Sequence, residues 1–210
     1  MSSPAVFLDR DGTINEEMEY PDRLEQILVF PQAAPAIRRL NAAGLKVVVV
    51  TNQSGVARRY FPLAFVHEVH QYLNEHLAAA GAHLDGLYVC PHHPEDGCLC
   101  RKPKPGLILR AARDLNLDLA HSYMVGDRYQ DLETAANAGL KGILVLTGYG
   151  RGEFELLGDK ASAPPVYVAQ DLADAAAWIL KDFQKNCRTA GPGCPGTGEG
   201  ACPTSSSPWE

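Results

Sequence analysis

The sequence predicts an α/β fold built on a doubly wound, Rossmann-like parallel sheet. Short apolar runs alternate with helical patterns of ten or more residues, which are long enough for the crossovers between parallel strands. Residues 47–50 are four consecutive valines, as in a strand that is buried on both faces. In such a sheet, ligands bind at the carboxyl ends of the strands, so the residues that follow each strand are the first candidates for a site.

The predicted elements alternate regularly along the chain. Strands are expected at residues 5–8, 45–50, 86–89, 123–126, 143–146 and 166–168. Helices are expected at 32–43, 62–80, 105–115, 130–138 and 172–183. Gly44, Gly81 and Gly139 directly follow three of these helices, in the position where glycine commonly ends a helix.

The 210 residues divide into one domain and a tail. Residues 1–185 hold every predicted strand and helix, and 46% of the sequence is apolar, which is ample for a buried core. Residues 186–210 are dominated by Gly, Pro, Ser and Thr, and we expect them to form a disordered tail. Only about forty residues separate Asp11 from Thr51, which leaves no room for a separate cap domain.

Charge and hydropathy limit the classes of partner. A net charge of −6 gives no overall attraction to nucleic acid or to an acidic membrane surface. The sequence shows no secretory signal and no apolar run near the ~20 residues that span a bilayer, so we expect a cytoplasmic protein. No apolar surface stripe remains once the core is assigned, so we expect a monomer.

The stretch Asp9-Arg10-Asp11-Gly12-Thr13 directly follows the first predicted strand. Two carboxylates at the end of a buried strand are costly unless their charge is compensated, and a divalent cation is the simplest compensation. Asp127 has a similar setting after the strand at 123–126. Paired carboxylates beside a cation suit covalent phosphoryl chemistry, and a structural calcium-like site is the alternative.

Two further polar stretches fall where this fold places a site. Residues 51–55 follow the valine run, and a hydroxyl with exposed backbone N–H groups at a strand end is able to hold phosphate oxygens. Residues 101–105 place basic side chains before a helix start, where their charge opposes the helix dipole. Helix capping is the alternative for residues 51–55, for Asp127 and for Asp131.

Three cysteines, Cys90, Cys98 and Cys100, lie close together with two histidines between them. The pattern Cys-x-His-x5-Cys-x-Cys supplies three thiolates and one imidazole, which make a closed, structural zinc site. The pattern alone leaves open whether His92 or His93 is the fourth ligand, and three free or oxidised thiols are the alternative. A zinc loop at 90–100 would also position the basic residues that follow it.

The order of these stretches resembles the haloacid dehalogenase-like phosphatases over about residues 5–150. The stretches that resemble the four motifs of that family, in order, are Asp9 to Thr13, Thr51, Lys102, and Gly126-Asp127 with Asp131. The resemblance implies that Asp9 is a nucleophile that forms an aspartyl-phosphate and that Asp11 is the acid and base. It also implies that Mg²⁺ is held by Asp9, the Asp11 backbone carbonyl and Asp127. The groups that would stabilise the transferred phosphoryl group are Thr51, the Asn52 backbone and Lys102.

Residues 51–58 and 98–103 further resemble the branch of that family with heptose-bisphosphate and histidinol-phosphate phosphatases. That resemblance implies removal of the 7-phosphate of a heptose 1,7-bisphosphate, in the synthesis of lipopolysaccharide precursors. It implies zinc ligands Cys90, His92, Cys98 and Cys100, and the substrate-binding residues Glu17, Tyr20, Asn52, Gln53, Ser54, Arg101 and Arg128. The alternatives are a histidinol-phosphate phosphatase and a zinc-stabilised binding protein without catalysis.

Overall fold

A six-stranded parallel sheet forms the centre of the computed structural model, which describes residues 2–189. The strands are β1 Ser3–Leu8, β2 Lys46–Asn52, β3 Gly86–Cys90, β4 Leu117–Gly126, β5 Lys141–Val145 and β6 Tyr167–Ala169. Their order across the sheet is β3-β2-β1-β4-β5-β6, and every neighbouring pair is parallel. The order reverses at β1, as in a doubly wound sheet, so the predicted fold class is confirmed.

Six α-helices lie along the described chain. They are α1 Ala33–Ala42, α2 Leu63–Ala79, α3 Gly106–Leu115, α4 Tyr129–Ala138, α5 Gly150–Leu157 and α6 Leu172–Thr189. Short 3₁₀ turns occur at Leu24–Gln26, Pro94–Asp96 and Gly158–Lys160. Within residues 2–189 each strand connection is a loop with at most one α-helix, so no separate cap domain is present, as predicted.

The largest differences from the predicted elements are one helix, the start of β4 and the end of α6. The sequence gives no helical signal for α5, because glycines at 148, 150 and 152 have low helix propensity. The strand β4 begins at Leu117 rather than at Tyr123, since its polar first half does not read as a buried strand. The helix α6 continues past the predicted end at Phe183 to Thr189, and the remainder of the predicted tail lies outside the described residues.

The valine run separates the two halves of the core. Val47 and Val49 belong to the apolar cluster that includes α1 and α6, whereas Val48 and Val50 belong to the cluster that includes α3. All four side chains are fully buried, as the unbroken apolar run predicted. None of the helices in the described part of the chain is both long and apolar enough to cross a membrane.

The packing of α3 gives a matched pair of variants. Leu107 is 2% exposed in the core and Leu109, two residues later on the same helix, is 51% exposed. We expect Leu107→Ala to lower the free energy of unfolding by about 2–5 kcal/mol, because it leaves a cavity. Leu109→Ala should change it by only about 0.5 kcal/mol. Urea unfolding measures both, and equal losses would contradict this packing of α3.

Candidate active site

One cleft at the carboxyl edge of the sheet contains all the catalytic and substrate-binding residues that the sequence predicted. They are Asp9, Asp11, Glu17, Tyr20, Thr51, Asn52, Gln53, Ser54, Arg101, Lys102 and Arg128. The edge brings them together because the main chain stays tied beyond the strand ends. The backbone N–H of Asp9 donates to the Val125 carbonyl at 2.9 Å, and that of Gln53 donates to the Cys90 carbonyl at 2.8 Å.

Lys102 is a buried cation held between two carboxylates. Its Nζ lies 2.8 Å from Asp9 Oδ2 and 2.6 Å from Asp131 Oδ1. Burial alone would lower the pKa of Lys102, but the charges of Asp131 and Asp9 outweigh it and raise the pKa above its ordinary value. The Lys102 backbone N–H donates to Asn52 Oδ1 at 3.1 Å, so the end of β2 fixes the position of this lysine.

Asp11 is oriented by three donors. Arg10 donates from Nε and Nη2 to its two oxygens, at 3.0 and 2.8 Å. Asn15 donates to Oδ1 at 2.9 Å, and Gln53 donates to Oδ2 at 2.8 Å and also contacts Thr51 Oγ1 at 2.9 Å. Burial would raise the pKa of Asp11, but Arg10, Asn15 and Gln53 bring it below the ordinary value. The carboxylate therefore has a fixed direction and favours the ionised form.

A cluster of buried carboxylates lies beside Lys102. Oxygens of Asp9, Asp127 and Asp131 all lie within 4.8 Å of one another. Burial is the main cause that raises the pKa of Asp9 to about 6, where Asp131 adds to it and Lys102 opposes it. Burial, then the charges of Asp9 and Asp131, raises the pKa of Asp127 to about 8. One lysine thus leaves negative charge uncompensated, and three convergent oxygens fit a divalent cation.

This cluster differs from the predicted ligand set in one residue. Asp9 and Asp127 are in it as predicted, but the third carboxylate is that of Asp131, while the side chain of Asp11 is held by Arg10, Asn15 and Gln53. A ligand from Asp11 would thus be its backbone carbonyl, as the resemblance implies.

Asp127 is enclosed by backbone rather than by side chains. Gly12, at φ +75°, and Gly148, at φ +54°, both pack directly on its carboxylate, and a Cβ at either position would overlap Oδ2. The Tyr149 N–H donates to the same oxygen at 2.8 Å, and Thr147 Oγ1 donates to the Gly12 carbonyl at 2.5 Å. The turns after β1 and β5 therefore hold this carboxylate from both sides.

A second cluster contains the three cysteines and His92. His92 Nδ1 lies 3.2 Å from Cys100 Sγ and 3.6 Å from Cys90 Sγ. Cys98 Sγ lies 3.6 Å from Cys90 Sγ and 3.5 Å from Cys100 Sγ. Zinc–sulfur bonds of about 2.3 Å in a tetrahedron place two sulfurs about 3.8 Å apart, so the four residues fit a zinc ion. Burial raises the pKa of the Cys90 thiol to about 12, so a bound cation is needed to keep it ionised.

His93, the second histidine of this loop, caps a turn. His93 Nδ1 accepts from the Glu95 N–H at 3.4 Å, and the His93 N–H donates to Asp96 Oδ2 at 2.8 Å. These bonds cap the 3₁₀ turn inside the cysteine loop. The structure thus places His92, not His93, among the cysteines, which is the choice that the resemblance favoured.

Several residues of the site act in ways that the sequence did not predict. Asp131, which was both a capping candidate and part of the fourth motif, accepts from the Arg128 N–H at 3.2 Å while its other oxygen binds Lys102. Arg10 and Asn15 act on Asp11 through side-chain directions that spacing does not reveal. Tyr149 belongs to a glycine-rich turn whose only sequence signal was its glycines.

Comparisons with known proteins identify the family of the chain. The HAD-hydrolase-like family model matches residues 99–175. The chain is 47% identical over 190 residues to a D-glycero-D-manno-heptose-1,7-bisphosphate 7-phosphatase of Thermosynechococcus vestitus, across 85% of this chain and 96% of the relative. It is 44% identical over 156 residues to the D-glycero-beta-D-manno-heptose-1,7-bisphosphate 7-phosphatase of Escherichia coli K12, across 70% of this chain and 81% of the relative.

A solved structure extends the agreement to the fold. The D,D-heptose 1,7-bisphosphate phosphatase of B. bronchiseptica, complexed with magnesium and phosphate, superposes with a TM-score of 0.78 at 38% identity. The match covers 85% of this chain and 99% of that structure. The family that the four motifs predicted is confirmed. The chain belongs to the haloacid dehalogenase-like phosphatases, in the family of the D-glycero-D-manno-heptose-1,7-bisphosphate 7-phosphatases.

Proposed function

We propose that this phosphatase removes the 7-phosphate of D-glycero-D-manno-heptose 1,7-bisphosphate through an aspartyl-phosphate on Asp9. The observation that supports it best is the pairing of Asp9 with Lys102 in the cleft, beside an independently oriented Asp11. Relatives that match most of the chain carry the same activity in their names. Supply of lipopolysaccharide precursors is the accompanying biological role.

In the first step the Asp9 carboxylate attacks phosphorus and the bond to the sugar oxygen breaks. Asp9 is aimed by Lys102 at Oδ2 and by the Arg10 N–H, which donates to Oδ1 at 2.7 Å. Asp11 gives a proton to the departing sugar oxygen, so the leaving group departs as a neutral alcohol. The products of this step are the free sugar hydroxyl and the aspartyl-phosphate.

In the second step water attacks the phosphorus of the aspartyl-phosphate. Asp11, now ionised, takes a proton from this water, and the bond from Asp9 to phosphorus breaks to release inorganic phosphate. The hydrogen bonds from Arg10, Asn15 and Gln53 keep Asp11 pointed at the same place in both steps. The same carboxylate therefore serves as acid and then as base.

Hydrogen-bond donors of the cleft would stabilise the negative charge that develops on the phosphoryl oxygens in the transition state. Lys102, Thr51 and Asn52 line the cleft with Asp9, and the lysine ammonium, the Thr51 hydroxyl and the Asn52 backbone N–H would be these donors. Mg²⁺, when bound by Asp9, Asp127 and the Asp11 carbonyl, would add positive charge at the same oxygens. We assign Asp131 to holding Lys102, because their 2.6 Å ion pair is buried.

The remaining cleft residues would bind the sugar and its second phosphate. Glu17 and Tyr20 come from the loop after β1 and Gln53 and Ser54 from the loop after β2, and Arg101 and Arg128 supply the positive charge. Arg101 Nη1 is buried and has no hydrogen-bond partner within residues 2–189, so it retains a donor for an anionic ligand.

We also propose a cellular compartment and an oligomeric state for the enzyme. Three thiolate ligands of a zinc ion persist in a reducing compartment, which supports the cytoplasm. A net charge of −6 is unfavourable for nucleic-acid or acidic-membrane partners, and we propose a monomer. Residues 1–185, with the zinc loop at 90–100, would be the catalytic domain, and 186–210 a disordered tail.

Phosphate release from a substrate panel tests the proposed reaction. With Mg²⁺ and Zn²⁺ present, kcat/KM for heptose 1,7-bisphosphate should exceed that for fructose 1,6-bisphosphate and histidinol phosphate roughly tenfold or more. ³¹P NMR should show the 1-phosphate retained on the product. Preference for histidinol phosphate would support the other branch, and no turnover of any phosphomonoester would support a non-catalytic binding protein.

Asp9→Asn tests the nucleophile. The variant should lower kcat by at least about a thousandfold, because an amide oxygen does not form the covalent intermediate. The fold disfavours ionised Asp9, as its pKa of about 6 lies above the ordinary 3.8, so the variant without Mg²⁺ should unfold at or above the wild-type midpoint at pH 7.5. Asp22→Asn, at an exposed carboxylate, is the control with normal turnover. Turnover retained by Asp9→Asn would show that another group attacks.

His92→Ala and His93→Ala test the zinc cluster as a matched pair. Metal analysis of the wild type should find about one zinc per chain. His92→Ala should weaken zinc binding by at least about a hundredfold and lower kcat/KM, since Arg101 and Lys102 directly follow Cys100. His93→Ala should keep its zinc, because His93 only caps the turn. Loss of zinc from His93→Ala alone would reverse the ligand assignment.

A further inference from the structure

The turn after β5 places an aromatic ring beneath a cleft arginine. The Cζ atom of Arg128 lies 3.9 Å from the centroid of the Tyr149 ring, which is the distance of a stacked cation–π contact. Tyr149 is 40% exposed, and both residues line the cleft. The two residues come from different loops, since Arg128 precedes α4 and Tyr149 precedes α5.

The backbone of this turn cannot shift without disturbing Asp127. The Tyr149 N–H donates to Asp127 Oδ2 at 2.8 Å, and Gly148 packs against the same carboxylate and against the Gly12 backbone. Thr147 Oγ1 ties the turn to Gly12. These hydrogen bonds fix the backbone of Tyr149 relative to Asp127, and its ring lies against Arg128.

Stacking uses only the face of a guanidinium. The N–H donors of Arg128 lie in its plane and stay available for an anion. No carboxylate in the described part of the chain forms an ion pair with this guanidinium. Lys102, the buried lysine of the cleft, is already shared by Asp9 and Asp131.

We propose that Tyr149 is a positioning residue for specificity, whose ring holds the Arg128 guanidinium as a receptor for the phosphate that is not hydrolysed. This inference rests on the proposed function, because it concerns the second phosphate of a sugar bisphosphate. The ring restricts Arg128 to one orientation in the free enzyme, so less rotamer entropy is lost when the phosphate binds. The contact between Tyr149 and Arg128 therefore affects which substrate binds, whereas the reacting phosphate is bound by Lys102 and its neighbours.

Variants at Tyr149 separate this role from a purely structural one. In Tyr149→Leu, which keeps the backbone N–H on Asp127, the ratio of kcat/KM for heptose 1,7-bisphosphate to that for heptose 7-phosphate should fall about fivefold to tenfold. The fall should lie in KM for the bisphosphate. Tyr149→Phe keeps the ring, so its ratio should stay within about twofold of the wild-type ratio. Phe154→Leu, an aromatic side chain of equal 40% exposure on α5, is the matched control.

Each result decides the inference. A reduced ratio in Tyr149→Leu alone supports it, whereas equal losses with both substrates, or no loss with either, overturn it. If the wild type shows no turnover, the affinity for heptose 1,7-bisphosphate is measured by calorimetry with Asp9→Asn and with Asp9→Asn/Tyr149→Leu. Equal affinities would then overturn the role of Tyr149 independently of the proposed reaction, and a fivefold or larger difference would support it. Thermal unfolding of each variant confirms that the comparison concerns folded protein.

Discussion

Burial of Lys102 between two carboxylates is the interaction on which the rest of the site depends. A lysine that is 3% exposed is tolerated only when its charge is paired, and the two partners come from the ends of different elements, Asp9 after β1 and Asp131 in α4. Lys102 itself comes from the segment after the cysteine cluster, which has no strand or helix of its own. Asn52 and Lys104 fasten that segment, since Lys104 Nζ donates to the Gly97 and Cys98 carbonyls at 2.7 and 2.9 Å. A metal in the cysteine cluster would complete this support.

The same charge balance separates two carboxylates that stand only two residues apart. Burial raises the pKa of Asp9, with a further contribution from the charge of Asp131, whereas at Asp11 the charge and hydrogen bonds of Arg10 help to outweigh burial and the pKa is lowered. A cation beside Asp9 would restore its ionised, nucleophilic form. A low pKa makes Asp11 a strong proton donor while it is protonated and keeps it ionised as the base for the second step. Arg10, the residue between them, thus makes the pair unequal, because its guanidinium binds only one of the two side chains.

The fold and the polar residues at the strand ends follow from local patterns, whereas the substrate-binding residues Glu17, Tyr20, Arg101 and Arg128 were expected only from the resemblance to the family. The valine run indicates a central strand, and parallel strands bring their carboxyl ends to one edge, so Asp9, Thr51 and Asp127 converge. What the sequence does not reveal is the direction of side chains across that edge. Asp131 was expected in the fourth motif or as a cap, but its pairing with Lys102 is not visible in the spacing, since one oxygen caps α4 while the other reaches Lys102. The sequence did not predict Tyr149 as a site residue, because its glycine neighbours carry no helical or strand signal.

Without a cap domain, the rim of the cleft has to obtain its rigidity from contacts between loops. Tyr20, which has a left-handed backbone at φ +62°, packs edge-on against Tyr60 with ring centroids 4.7 Å apart. That contact joins the loop after β1 to the loop after β2, just as Arg128 on Tyr149 joins the loops after β4 and β5. Both ring contacts lie outside the carboxylate cluster, and Tyr20, Arg128 and Tyr149 line the cleft. The carboxylates and Lys102 thus lie at strand ends and in buried positions, whereas the contacts at the rim join neighbouring loops, which is where the proposed role of Tyr149 in substrate choice would act.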